Sequence, residues 1–74
     1  MKYKLGFIGC GNMASAMISG IVGNNVLKPE EIIASNRSQQ KLLDAKEKYG
    51  IDITEDNVEI AKNAEVIILA VTQT

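Results

Sequence analysis

The sequence predicts an α/β fold, a parallel sheet with helices on both faces in the order β-α-β-α-β-α-β. Three observations predict it. Short apolar stretches alternate with stretches of helical spacing along all 74 residues. The first strand runs straight into a glycine turn and a helix, in Leu5-Gly6-Phe7-Ile8-Gly9-Cys10-Gly11-Asn12-Met13-Ala14. The stretch from Val66 to Val71 is apolar at every position, as a strand covered on both faces should be.

Each element has its own signal. Tyr3 to Ile8 is short, apolar and aromatic, and Gly9 ends it, so it reads as the first strand. Asn12 is the expected N-cap of a helix from Met13 to about Val22. Met13, Ala14, Met17, Ile18 and Ile21 recur at helical spacing and predict its buried face, with Gly23 and Asn24 as its end. Pro29 keeps Leu27 to Glu31 out of helix or central strand. Ile32 to Ala34 follows as a brief second strand. Ser38 caps a helix from Gln39 to Tyr49, with Leu42, Leu43 and Ala45 inward and Gly50 closing it. Ile51 to Ile53 is the third strand, Asp56 to Lys62 the third helix and Val66 to Val71 the fourth strand. Right-handed crossovers and strand order 3-2-1-4 place strands one and four, the most apolar, at the centre. Strand four is then central but ends three residues before Thr74. The sheet is therefore expected to be incomplete, and the chain to be the first part of a longer protein.

Composition narrows the function. At 46% hydrophobic and 23% charged residues the chain is a folded one, not a disordered tail. A net charge of −1 argues against nucleic-acid or membrane-surface binding, which usually needs a basic patch. There is no histidine, which removes Ser-His-Asp and Cys-His nucleophilic sites and most zinc sites. The single cysteine, Cys10, allows no intrachain disulfide and fits a reducing cytoplasm. The longest apolar run is too short to span a bilayer, and Met1-Lys2-Tyr3-Lys4 does not open a signal peptide.

The chemistry lies in the glycine turn. Gly9-Cys10-Gly11-Asn12-Met13-Ala14 fits the pattern G-x-G-x-x-G/A. The first glycine allows a sharp exit from the strand, the second clears room for a pyrophosphate, and the small third residue lets the helix press on the sheet. The helix start adds a positive dipole end and free N–H groups. Because the motif follows a strand and opens a helix, it predicts dinucleotide binding. The free N–H groups of Asn12, Met13 and their neighbours are the expected anion contacts; Cys10 is a small loop residue, and Met13 is either core or a cofactor contact.

The choice of dinucleotide turns on the end of strand two. A count of about twenty residues from the glycines lands on Glu30 and Glu31, but these precede Ile32 and lie at the wrong end. The right end reads Ser35-Asn36-Arg37-Ser38. It has no carboxylate to accept from a ribose 2′-hydroxyl. Arg37 can pair with a 2′-phosphate, and Ser35, Asn36 and Ser38 can donate to it. The expected cofactor is NADP(H). Ala70, Val71 and Thr72, at the end of strand four, should line the nicotinamide side.

Phe7-Ile8-Gly9-Cys10-Gly11-Asn12-Met13-Ala14, Ser35-Asn36-Arg37-Ser38, Asp56-Asn57 and Ile68-Leu69-Ala70-Val71 together resemble the start of the pyrroline-5-carboxylate reductase family. The resemblance implies an N-terminal Rossmann domain that binds NADPH and a following helical domain that dimerises and holds 1-pyrroline-5-carboxylate, which is reduced to proline. It also implies that Ile8 to Met13 form the pyrophosphate loop, that Asn57 contacts the cofactor near the adenosine and that Ala70 to Gln73 line the nicotinamide. The family usually continues Lys-Pro after Ala-Val; this chain has Thr72-Gln73. None of the 74 residues is a convincing acid for the imine, so no catalytic residue is expected here. The same motifs also suit a β-hydroxyacid dehydrogenase, a coenzyme F420-dependent NADP reductase, or a nucleotide-sensing module that moves no hydride.

Overall fold

The computed structural model describes residues 2–70. The elements are β1 (Tyr3–Ile8), α1 (Asn12–Gly23), a 3₁₀ turn (Pro29–Glu31), β2 (Ile32–Ser35), α2 (Gln39–Tyr49), β3 (Asp52–Thr54), α3 (Asn57–Asn63) and β4 (Ala64–Leu69). The strands form one parallel sheet in the order β3-β2-β1-β4. In register, Ile8 lies between Ser35 and Leu69, which brings the C-terminal ends of three strands to one level. That level is where an α/β sheet opens toward a ligand.

Two apolar layers cover the sheet. Leu5, Phe7, Ile32 and Ala34 pack with Ala14 and Ile18 of α1 and with Leu42 and Ala45 of α2. Tyr3, Ile33, Ile60 and Ala64 form the smaller layer beneath α3. Full burial of side chains such as Phe7, Ile18 and Leu42 is worth roughly 1.5–3 kcal/mol each before entropy. At Gly6 the α3 layer comes so close that an added Cβ would stand 2.6 Å from Ile60 Cγ2 and 2.9 Å from Ala64 Cβ. A bare backbone at this position is what lets α3 press on β1.

Besides one-residue shifts at the end of β2 and in α3, the structure differs from the expectations in four places. First, α1 starts at Asn12, so its N-cap is Gly11 and no side chain caps it. Met13 and Met17 lie toward solvent; the line facing the sheet runs through Ala14 and Ile18, with Ile21 and Val22 packed at its end. Second, Leu43 is exposed: the buried stripe of α2 is narrow and runs through Leu42 and Ala45. Third, β3 begins one residue late, at Asp52; Ile51 is fully buried but outside the ladder. Fourth, β4 runs from Ala64 to Leu69, and Val66 and Leu69 are 56% and 68% exposed. Among the described residues it is the edge strand, with β1 as its neighbour, as the expected incomplete sheet leaves it.

Candidate functional site

The polypeptide leaves β1 through Gly9, whose φ of +97° is a conformation that costs a side-chain-bearing residue about 1–2 kcal/mol. The turn is held from both sides. Gly9 N–H donates to the Ser35 carbonyl at 2.8 Å, and Ala70 N–H donates to the Ile8 carbonyl at 2.8 Å. Gly11 then opens α1 with extended backbone, and its carbonyl accepts the first helical bond, from Ser15 N–H at 2.9 Å.

The three α-helix starts differ. At α2 the Ser38 hydroxyl accepts from Lys41 N–H at 3.3 Å. At α3 the Asp56 carboxylate accepts from Val58 N–H at 2.9 Å. At α1 there is no side-chain cap and no acidic residue in the first turn. The leading N–H groups of α1 and its positive dipole end are left for an outside acceptor, and an anion suits them.

Beside this helix start is a cavity of ≈ 490 Å³, within the roughly 300–1,000 Å³ usual for small-molecule sites. Ile8, Gly9, Cys10 and Gly11 supply one wall. Ser35, Asn36 and Arg37, from the end of β2, supply another. Asn57 enters from α3 and Ala70 from the end of β4. The structure thus gathers residues that are up to 62 positions apart in the sequence, from Ile8 to Ala70. Ser35 is almost fully buried, and its Oγ donates to Asn57 Oδ1 at 2.5 Å. Asn36 Oδ1 accepts from Ser38 N–H at 3.3 Å, which shapes the loop that presents Arg37.

Other expected site residues fall elsewhere. Ser38 is half-buried and occupied as the α2 cap. Asn12 lines a second cavity, of ≈ 290 Å³, between α1 and α2. Met13 is exposed on α1 and borders neither cavity. Val71, Thr72 and Gln73 lie outside the described residues. Two cavity residues were not expected at the site: Lys41, which reads as one more charge on a solvated helix, and Glu55, which reads as a helix-start charge. Only the tertiary arrangement shows that they face the space.

The electrostatics are mild. Burial pushes the Cys10 thiol above its ordinary range, while a hydrogen bond with Ser15 and the positive charge of Lys41 oppose that push. A raised thiol pKa keeps Cys10 protonated at neutral pH and argues against a nucleophilic role. Glu30 and Glu31 lie at the start of β2, where Glu31 accepts from Lys28 N–H at 2.9 Å and pairs with Lys4 at 3.7 Å. They are at the far end of the strand from the cavity. Among the described residues no group of three or more potential metal ligands is present, and no helix is long and apolar enough to cross a membrane.

Comparison with known proteins agrees with this geometry. The chain is 43% identical over 68 residues to pyrroline-5-carboxylate reductase 2 of Bacillus subtilis, covering 90% of this chain and 24% of that protein. It is 35% identical over 71 residues to pyrroline-5-carboxylate reductase of Escherichia coli, covering 96% and 26%. Among solved structures, a pyrroline-5-carboxylate reductase from Coxiella burnetii superposes with a TM-score of 0.86 at 42% identity, covering 96% of this chain and 26% of that one. The chain spans about a quarter of the length of these relatives. The model of the family described as NADP oxidoreductase, coenzyme F420-dependent, matches residues 4–74, and the chain belongs to that family.

Proposed function

We propose that this chain is the cofactor-binding part of a cytoplasmic pyrroline-5-carboxylate reductase, and that it binds NADP(H). One observation carries the reading: the uncapped start of α1 and the cation of Arg37 border the same cavity, one on each side. A dinucleotide phosphate has anions at both places. The N–H groups beside Gly11 would hold the pyrophosphate. Ser35, Asn36 and Arg37 would surround the adenosine phosphate, with Asn57 alongside. Ala70, followed by Val71, Thr72 and Gln73, would lead to the nicotinamide. When bound, the nicotinamide supplies a hydride that, with one proton, reduces the imine of 1-pyrroline-5-carboxylate to proline. This chain contributes binding, orientation and exclusion of water. In this reading residues 1–74 are the N-terminal part of a Rossmann domain. The substrate site and the contacts of a homo-oligomer belong to a further, helical domain.

The test is turnover by the natural full-length protein. NADPH oxidation that depends on 1-pyrroline-5-carboxylate, and is slower with NADH, is the expected result. NADPH oxidation with a β-hydroxyacid partner, or with coenzyme F420, and none with this imine would replace the reading by that of another reductase of the family. Arg37→Ala is expected to weaken NADPH binding by about tenfold and to leave NADH nearly unchanged. Equal losses for the two cofactors would show that Arg37 does not read the phosphate.

A further inference from the structure

We propose that the outer face of α1 is a docking surface, and that a helix of the helical domain beyond residue 74 seats on it. The inference rests on the reading above, in which such a domain follows, and assigns the place where the two domains meet.

The helix α1 has no charged residue in its twelve positions, NMASAMISGIVG. By contrast α2, which packs into the same layer, has Lys41, Asp44, Lys46, Glu47 and Lys48 among its eleven. One side of α1 is buried against the sheet through Ala14 and Ile18. The opposite side is Met13, Ala16, Met17, Gly20 and Gly23, and all five are exposed. Their spacing, i, i+3, i+4, i+7 and i+10, makes one continuous stripe. Met13 and Met17 are 48% and 37% exposed. A helix that faces water on one side sets charges there, whereas one that is apolar all round belongs inside a larger core.

Gly20 adds a separate observation. Among the described residues the glycines with positive φ are Gly9 and Gly50, so Gly20 is not held in the left-handed region. A Cβ added to it would meet nothing within 4 Å. Neither backbone conformation nor crowding within this domain requires a glycine, and glycine weakens a helix interior relative to alanine. A backbone that approaches from outside supplies the missing reason, because the side chains at the contact set the distance between packed helices.

The occupant follows from what the face lacks and from where it lies. It offers no charge to a nucleic acid or to an acidic or basic peptide, and its unbranched methionines adapt to the apolar ridge of another helix. The chain spans about a quarter of the length of the relatives it matches, so a protein of their length has ample further polypeptide to cover the stripe. The stripe begins at Met13, two residues after Gly11 of the cavity wall. A helix seated on it stands beside the glycine turn, where a domain that brings substrate to the cofactor has to stand.

The test is oxidation of the natural full-length protein by hydrogen peroxide, without cofactor, followed by mass spectrometry of the peptides that contain Met13 and Met17. The same protein unfolded in guanidinium is the reference. Both methionines are expected to react at least about tenfold more slowly in the native protein. Rates within about threefold of the unfolded reference would overturn the proposal, since that is how an open face reacts. Protection that disappears on dilution to separated protomers would also overturn it, because a second copy would then be the cover. Gly20→Leu gives an independent sign. Leucine is the better helix former, so on an open face it raises the Tm. Under a closely seated helix it lowers the Tm, which is the expected result, and a raised Tm would overturn the proposal. Unprotected methionines in a protein that reduces 1-pyrroline-5-carboxylate with NADPH would sink this inference alone. A protein without that activity would remove the functional reading, whatever its methionines do.

Discussion

Ser35 Oγ donates to Asn57 Oδ1 at 2.5 Å, which ties the last residue of β2 to the first residue of α3 at the wall of the cavity. Ser35 pairs with Ile8 on one side and Thr54 on the other, and its carbonyl accepts from Gly9 N–H. One buried serine thus connects the glycine turn, two strands and a helix. Asn57 is exposed and has its other amide atom left to meet a ligand.

Removing the acceptor should separate structural from cofactor effects. Asn57→Ala leaves the buried Ser35 hydroxyl without this partner, at a cost of about 1–3 kcal/mol. Asn57→Asp keeps an acceptor for Ser35 but sets a negative charge beside the phosphate site. Thermal unfolding should show a lower Tm for the alanine variant and a near-normal one for the aspartate variant. Calorimetry should show weaker NADPH binding for both. A normal Tm in Asn57→Ala would mean that the hydroxyl finds another partner.

The glycine turn has a conformational requirement that is measurable. Gly9→Ala places a Cβ at φ +97° and is expected to cost about 1–2 kcal/mol. Relaxing the strain would break the Gly9 bond to the Ser35 carbonyl. NADPH and NADH should weaken together, because the turn faces the part of the molecule that the two share. A loss confined to NADPH would contradict the assignment of this turn to the pyrophosphate.

Gly6 tests the close approach of α3. A Cβ there overlaps Ile60 Cγ2 and Ala64 Cβ, neither of them on a long flexible side chain. Gly6→Ala is expected to destabilise by about 1–3 kcal/mol. Denaturant unfolding at constant m-value would measure it. Since α3 also carries Asn57, cofactor affinity should fall with it; an unchanged affinity would mean that α3 moves without its first residue.

An alkaline step in stability should come from Tyr3. Its hydroxyl donates to Asp52 Oδ2 at 2.5 Å, joining β1 to β3 across the sheet. Burial, then the hydrogen bond to Asp52 and the nearby negative charges of Asp52 and Glu59, hold its pKa up at about 12. The folded state thus favours the neutral phenol more than the unfolded chain does, where the pKa is about 10. The contribution is complete below pH 10 and is lost as pH rises toward 12. Tyr3→Phe should lower stability at pH 7 by about 1 kcal/mol. The gap between wild type and variant should close between pH 10 and 12; a gap constant over that range would rule out the linkage.

Much of the fold was legible because the punctuation is local. Gly9, Ser38, Gly50 and Asp56 each act on backbone within four residues, and each stands at the element boundary it marks. That Ile8 to Gly11, Ser35 to Arg37 and Asn57 are candidates, which the fold brings to one cavity, was legible because the motif and the family resemblance refer to chain order. Leu43 and Met17 were not legible as exposed. Helical spacing defines an apolar side, but the width of the contact depends on what packs against it. Val66 and Leu69 are exposed because β4 is the edge of the described sheet, the open edge that an incomplete sheet was expected to leave.

The sequence by itself determined the alternation of strands and helices, the glycine turn at the end of β1 and the absence of a carboxylate after β2. These follow from φ preference, apolar periodicity and side-chain chemistry, all of them properties of neighbouring residues. Only the tertiary structure decided that α1 starts uncapped at Gly11, that Ser35 bonds Asn57 and that Lys41 stands between the two cavities. Those depend on the register of parallel strands and the seating of helices on them, which join residues far apart in the chain and leave no trace in local sequence.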